Sequence, residues 1–136
     1  MSGVGAYLWV AFGSALGGMA RYGTGLLALR LWGPAFPWGT ILINVVGSFL
    51  ISFFGTLTAA NGPLPVSVAL RTFFMVGLCG GFTTFSSFSL QTLDLARDAQ
   101  WLAAMANILL SVVLCLLAVT AGHLLAVRIG LLSAAD

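Results

Sequence analysis

Long uncharged stretches are the feature that most constrains this chain. No Asp, Glu, Lys or Arg occurs from 31 to 70 or from 72 to 93. Each stretch is longer than the ~20 residues that a helix needs to cross the hydrocarbon core of a bilayer. Only 6% of the 136 residues are charged, 60% are hydrophobic, and the mean hydropathy is +1.11. This composition predicts an integral protein of the lipid bilayer and excludes an ordinary soluble domain.

Chain breakers divide the apolar sequence into four spans. Pro34 and Pro37 precede the second span, the segment 61–65 follows it, and the charged segment 94–98 separates the third span from the fourth. The first span has neither a basic start nor a small-residue cleavage site, so we expect it to be retained. We predict an all-α integral membrane protein whose single four-helix transmembrane domain covers 1–136, with spans at about 4–29, 38–60, 66–93 and 99–127.

The arginines are almost evenly shared between the two predicted sides of the membrane. Arg71 and Arg128 lie on the side of the termini, whereas Arg30 and Arg97 lie on the other side. The usual excess of positive charge on the cytoplasmic side is therefore missing, and little forces a single orientation. Insertion in both directions, followed by antiparallel dimerisation, is one consequence that we expect. The net charge of +2 is too small to indicate binding to nucleic acid or to an anionic surface.

The segment 77–89 is the least lipid-like part of the third span. It contains three Gly, two Thr and three Ser within a membrane-length apolar region. Irregular backbone at membrane depth survives only where protein or water covers it. We therefore predict that the third helix is broken mid-membrane and that the other helices pack around the break. Gly13 and Gly17, which Gly18 extends, form a small-residue pattern that indicates close helix packing.

Few residues in the spans can carry chemistry. Arg21 is the one clear intramembrane charge, and it either lines a water-filled vestibule that attracts anions or caps carbonyls and reaches the headgroups. No span contains an acidic residue, which argues against a proton-coupled or cation-exporting carrier. Cys79 and Cys115 lie in apolar spans and are expected as free thiols. His123 has no neighbouring ligand residues, so a metal site there is not predicted.

Polar residues at helical spacing mark two further faces. Thr40, Asn44 and Ser48 are four residues apart and form a stripe on the second span. The Asn44 amide can offer N–H donors to an anion, or the stripe can join helices by hydrogen bonds. Asn107 and Ser111 share this spacing in the fourth span, where the packing interpretation is the stronger one.

Phenylalanines alternate with hydroxyl residues in the third span. Phe82, Phe85 and Phe88 recur every three residues, and Thr84, Ser87 and Gln91 would lie on one face beside Phe88. The ring edge carries the positive side of the aromatic quadrupole and can face a small anion without holding it tightly. Weak but favourable sites suit conduction better than tight binding does.

These motifs resemble the Fluc (CrcB-type) fluoride channels of microbial membranes. The resemblance covers nearly the whole chain and is carried by the segments 17–22, 39–49 and 77–89, of which the last is highly specific. It implies a fluoride-selective channel in the cell membrane, built as an antiparallel dual-topology homodimer with two pores. It also implies a structural sodium ion, Na+, at the centre of the dimer.

The resemblance assigns roles to individual residues. It implies that Phe85 and Phe88 are the pore phenylalanines, that Asn44 faces the pore and that Arg21 lies in the vestibule. The backbone carbonyls of Gly80 and Thr83 would bind Na+. Further polar groups would line the pore at Thr40, Ser89, Thr84, Ser86 and Gln91. Many members have Glu where this chain has Gln91, which keeps hydrogen-bonding capacity but removes a charge or proton carrier.

The sequence thus predicts a passive channel through which cytoplasmic fluoride leaks out down its gradient, conferring fluoride resistance. Two alternatives are a small multidrug exporter, which is also a four-span dual-topology dimer, and a non-conducting partner subunit of a heterodimeric channel. The exporter predicts a carboxylate in the first span, and none is present. No motif brings a nucleophile, a base and an orienting group together, so an enzyme is not predicted.

Overall fold

The computed structural model describes residues 3–133, so the first two and last three residues of the expected domain lie outside the described range. Four segments of this range are long and apolar enough to cross a membrane: Gly3–Trp32, Trp38–Leu57, Val68–Arg97 and Trp101–Leu132. The expected all-helical class with four membrane-length helical segments is confirmed.

The helices are named as follows. Helix α1 is Gly3–Trp32 and helix α2 is Trp38–Leu57. The third segment consists of two helices separated by Thr83 and Thr84. Helix α3 is a continuous helical run made of Val68–Arg71, Thr72–Cys79 and Gly80–Phe82, helix α4 is Phe85–Arg97, and helix α5 is Trp101–Ser133.

Helix α1 ends at a glycine turn. Gly33 has a φ of +73°, a conformation that favours glycine, and its N–H donates to the Leu29 carbonyl at 2.9 Å. Pro34 follows at once and cannot continue the helix. The chain therefore reverses sharply and enters α2 at Trp38.

Arg71 caps the C-terminal end of α2. Its Nη1 donates to the Gly55 carbonyl at 3.1 Å and to Thr58 Oγ1 at 3.0 Å. The last carbonyls of a helix have no partner within the helix and carry a partial negative charge. A half-buried guanidinium from α3 therefore satisfies the α2 terminus and ties the two helices together.

Helices α1 and α3 pack with their backbones in contact. A methyl group added at Gly13 would lie 2.5 Å from the Phe73 carbonyl oxygen and 2.8 Å from Gly77 Cα. One added at Gly17 would collide with the Leu78 carbonyl oxygen and lie 2.8 Å from the Phe82 nitrogen. The close packing expected of Gly13 and Gly17 is present. Gly18 does not extend it, because no atom lies within 4 Å of the position that a Cβ would take there.

The middle of α3 is wound as a π-helix. In Thr72–Cys79 the backbone hydrogen bonds span five residues, which widens the helix. Phe73 of this section packs against Trp9 of α1, with ring centroids 6.0 Å apart. Phe74 stacks on Phe54 of α2 at 4.1 Å. The two neighbouring rings therefore fix α3 between α1 and α2.

Helix α5 packs most extensively against α2. Gly122 brings the two helices close, because a Cβ there would lie 2.5 Å from the Phe49 carbonyl oxygen. His123 Nδ1 and Thr56 Oγ1 are 3.0 Å apart and form a hydrogen bond. Cys79 and Cys115 are both free thiols. Beside the packed helices α2 and α5, a space lined by residues of α2, α4 and α5 remains open.

Candidate functional site

The site is built around the two extended residues between α3 and α4. Thr83 has φ −78° and ψ 159°, and Thr84 has φ −154° and ψ 109°. In a continuous helix the Thr84 N–H would bond to the Gly80 carbonyl. Here it donates instead to Asn44 Oδ1 at 2.8 Å, while Asn44 Nδ2 donates to the Thr84 carbonyl at 3.0 Å. One amide from α2 thus satisfies both backbone groups of Thr84.

Hydroxyl groups cap the start of α4. Thr84 Oγ1 accepts the Ser87 N–H at 3.1 Å, which is a standard N-cap arrangement. The hydroxyls of Ser87 and Ser86 lie 3.0 Å and 3.2 Å from the same Thr84 oxygen. The hydroxyls therefore cluster at a helix N-terminus, where the partial charge is positive.

A cavity of about 320 Å³ lies beside this cap. Phe85 and Phe88 of α4 form one wall, with ring centroids 5.2 Å apart and an interplanar angle of 51°. Helix α2 contributes Asn44 and Ser48 to the lining. Phe85 is 77% exposed, so one side of the cavity is open in the single chain. The cavity brings together two aromatic rings, an amide and hydroxyls.

Thr40 and Gln91 lie at a second cavity of about 300 Å³. Thr40 is buried and lies one helical turn from Asn44, so the two cavities follow the same polar stripe of α2. Gln91 Oε1 is buried and has no hydrogen-bond partner among the described residues. The stripe predicted from Thr40, Asn44 and Ser48 therefore faces cavities along its whole length.

Ser86 and Ser89 do not line the first cavity. Both residues are exposed, and the Ser89 hydroxyl donates to the Phe85 carbonyl at 2.9 Å. Ser86 is connected to the site through its hydrogen bond with Thr84. In the single chain these two hydroxyls support the start of α4 rather than forming the cavity wall.

Arg21 reaches the same break from α1. Its Nη1 donates to the Thr83 carbonyl at 3.4 Å, and the side chain is half-buried. Gly80 is exposed, and the nearest atom to a Cβ placed there would be the Met75 carbonyl oxygen at 3.9 Å. Arg21 and Thr83 therefore meet at the end of α3, and Gly80 is exposed three residues before Thr83.

Helix α5 supplies a cavity wall that sequence reasoning missed. Ser111, Val112 and Cys115 line the first cavity together with the predicted residues. The available signal was the spacing of Asn107, Ser111 and Cys115 at four-residue intervals, which places small or polar groups on one face. We interpreted the first two as packing residues and the third as a small hydrophobic residue.

Comparisons with known proteins identify the family. A family model described as "CrcB-like protein, Camphor Resistance (CrcB)" matches residues 8–123. A Methylocella silvestris protein named "Fluoride-specific ion channel FluC" is 61% identical over 124 residues, covering 90% of this chain and 94% of that protein. A protein of the same name from Opitutus terrae is 54% identical over 121 residues, covering 89% of this chain and 92% of its own length. The chain belongs to the CrcB-like family.

Proposed function

We propose that this chain forms a passive, fluoride-selective anion channel. The observation that carries the proposal is the cavity in which Phe85, Phe88 and Asn44 meet, in a chain 61% identical to a protein named for fluoride-specific conduction. The four membrane-length segments make the chain a multi-pass membrane protein, and fluoride and the bilayer are its expected partners.

Selectivity would come from replacing the hydration shell of a small anion. The Asn44 Nδ2 has a second hydrogen beyond the one it donates to Thr84, and this hydrogen is available to an ion. Ring edges of Phe85 and Phe88 add weak positive potential, and hydroxyls at Thr40, Thr84, Ser86 and Ser89 and the Gln91 amide would continue the polar track. None of these groups is a full positive charge, so the anion would be bound weakly enough to leave.

The active assembly in this proposal is an antiparallel dual-topology homodimer with two pores. Two observations support it. Phe85 is 77% exposed although it belongs to the proposed pore, and a second copy would cover it. The near-equal distribution of arginines would allow both orientations in one membrane.

A structural Na+ at the dimer centre is part of the same proposal. Sodium prefers oxygen ligands, and membrane proteins often supply them from unwound backbone. The chain offers two carbonyls: that of Thr83, which accepts a long hydrogen bond from Arg21 and keeps a second lone pair, and that of Gly80, whose usual helical donor, the Thr84 N–H, is held by Asn44. These two ligands from one chain are too few for a complete shell. Equivalent carbonyls of a second copy would complete it.

Arg21 would lie in the vestibule and raise the local concentration of fluoride. Its half-buried position beside the break in the third segment supports this role. A cationic group at the mouth of a low-dielectric passage attracts anions over a distance that salt can screen. The channel would lie in the cell membrane and let cytoplasmic fluoride leave down its gradient, which would protect enzymes that fluoride inhibits.

One alternative retains support from a specific residue. Gln91 stands where many members carry Glu. This difference lends slight weight to a non-conducting partner subunit. The multidrug exporter has no comparable support, since α1 contains no carboxylate. Fluoride efflux from liposomes that contain only this chain separates conduction from the partner-subunit role.

A further inference from the structure

Asn107 has no solvent-accessible surface, although its side chain is polar and its helix is long and apolar enough to cross a membrane. A buried amide is costly unless its donors and acceptor are satisfied. An apolar side chain of similar volume would fill the position without that cost. The contacts of Asn107 therefore need an explanation beyond packing.

The amide donor of Asn107 connects α5 to the Phe88 backbone. Asn107 Nδ2 donates to Thr92 Oγ1 at 2.8 Å, and Thr92 Oγ1 donates to the Phe88 carbonyl at 2.7 Å. The Thr92 hydroxyl has a single proton, so donating it to Phe88 leaves the oxygen free to accept from Asn107. The two hydrogen bonds thus have one consistent direction, from α5 into the turn of α4 that carries the Phe88 ring.

The amide acceptor of Asn107 connects to the cavity wall. The Ser111 hydroxyl donates to Asn107 Oδ1 at 3.4 Å, and Ser111 lines the cavity together with Phe88. The long distance makes this a weak bond. Asn107 Oδ1 therefore gives the Ser111 hydroxyl a preferred but weakly held orientation.

We propose that Asn107 is a positioning residue of the conduction pathway, holding Phe88 through Thr92 and orienting the Ser111 hydroxyl. It does not touch the ion, because it is completely buried. This inference rests on the proposed function. It adds a residue of α5 that acts on the cavity through Phe88 and through Ser111. A side chain that only filled space would need neither of the two directed hydrogen bonds.

The test compares Asn107→Leu with the unaltered chain in the same liposome assay of fluoride efflux. Leu has the same number and branching of side-chain heavy atoms as Asn, although its methyl groups make it larger, and it removes both hydrogen bonds. We expect the flux per channel at saturating fluoride to fall roughly tenfold. The thermal unfolding midpoint should stay close to that of the unaltered chain. Thr120→Val is the matched control, because Thr120 lies on the same helix, is exposed and donates only to the Leu116 carbonyl at 2.9 Å.

A double-mutant cycle asks whether Asn107 acts through Thr92. We expect Thr92→Val to lower the flux and Thr92→Ser, which keeps the hydroxyl, to retain most of it. Adding Thr92→Val to Asn107→Leu should cause little further loss, because the same connection is already broken. Fully additive losses would overturn the inference.

The remaining outcomes are also decisive. Unchanged flux in Asn107→Leu, with conduction by the unaltered chain, overturns the positioning role and leaves the proposed function standing. If the unaltered chain does not conduct, both proposals are overturned. If Asn107→Leu does not assemble, the test rests on Thr92→Val. A fluoride flux in Thr92→Val equal to that in Thr120→Val would count against the inference.

Discussion

Asn44 joins α2 to the break in the third segment through two hydrogen bonds with the backbone of Thr84, which is the cross-helix role that the polar stripe left open. The four-residue spacing with Thr40 and Ser48 predicts a polar face, and that face does line cavities. Yet one donor and the acceptor of the Asn44 amide are used by the backbone of Thr84. Periodicity shows which residues share a helix face. It does not show which backbone groups of another helix will meet them, because that depends on tertiary packing.

The pore phenylalanines provide the first prediction at this scale. Phe85→Ile or Phe88→Ile should lower fluoride flux by about tenfold or more, because an aliphatic group has no positive ring edge to replace water around the anion. The dimer should persist, since Ile is of similar polarity and smaller. Flux from liposomes and size-exclusion chromatography measure the two effects. Normal flux in both variants would refute the assignment of this cavity as the pore.

Arg21 provides the second prediction. Arg21→Gln should slow fluoride efflux more at low than at high fluoride, because a vestibule charge acts by concentrating the anion. The measurement is the initial rate across a series of fluoride concentrations at constant ionic strength. Arg30→Gln removes the same charge from an exposed position in the last turn of α1 and should have a smaller effect. Equal slowing at every concentration would indicate that Arg21 only supports the Thr83 carbonyl.

At the scale of helices, the third membrane segment shows the limits of sequence reasoning most clearly. Glycine and hydroxyl residues within a membrane-length stretch predict irregular backbone near 77–89, and in this stretch Thr83 and Thr84 are extended. The π-helical turns of Thr72–Cys79 were not predictable, because this section is as apolar as an ordinary span. Its contacts with Phe54 and Trp9 come from helices far away in sequence.

Close packing of α1 on α3 leads to the third prediction. Gly17→Ala should destabilise the protein by about 1–3 kcal/mol, because the added methyl group meets backbone atoms of α3 that cannot rotate away. Gly18→Ala is the matched control, since nothing lies within 4 Å of the corresponding position. Thermal unfolding in detergent compares the two. A Gly17→Ala variant as stable as Gly18→Ala would contradict the packing described for these helices.

On the scale of the whole molecule, composition alone was sufficient to predict the class. Uncharged stretches and mean hydropathy predicted a helical membrane protein with four spans, and the described residues contain four such segments. The pairing of α2 with α5, and with it the third wall of the cavity, was not predictable. Hydrophobicity identifies helices that enter the bilayer, but in lipid it does not indicate which of them associate.

The proposed sodium ion gives the fourth prediction. Replacing all Na+ by a large organic cation should lower the thermal unfolding midpoint of the purified protein and favour monomers, because ligands from two copies would lose the ion they share. Adding Na+ back should restore both properties, whereas K+ at equal ionic strength should not. Stability that is independent of Na+ would exclude a structural sodium at the Gly80 and Thr83 carbonyls.

Selective fluoride conduction by this chain alone is the central claim, and efflux from liposomes tests it most directly. Vesicles that contain only the purified protein would be loaded with fluoride or with chloride, and release would be followed with ion-selective electrodes. We expect rapid fluoride release and no chloride release above that of protein-free vesicles. Equal release of both ions would contradict selectivity, and release of neither would contradict a self-sufficient channel.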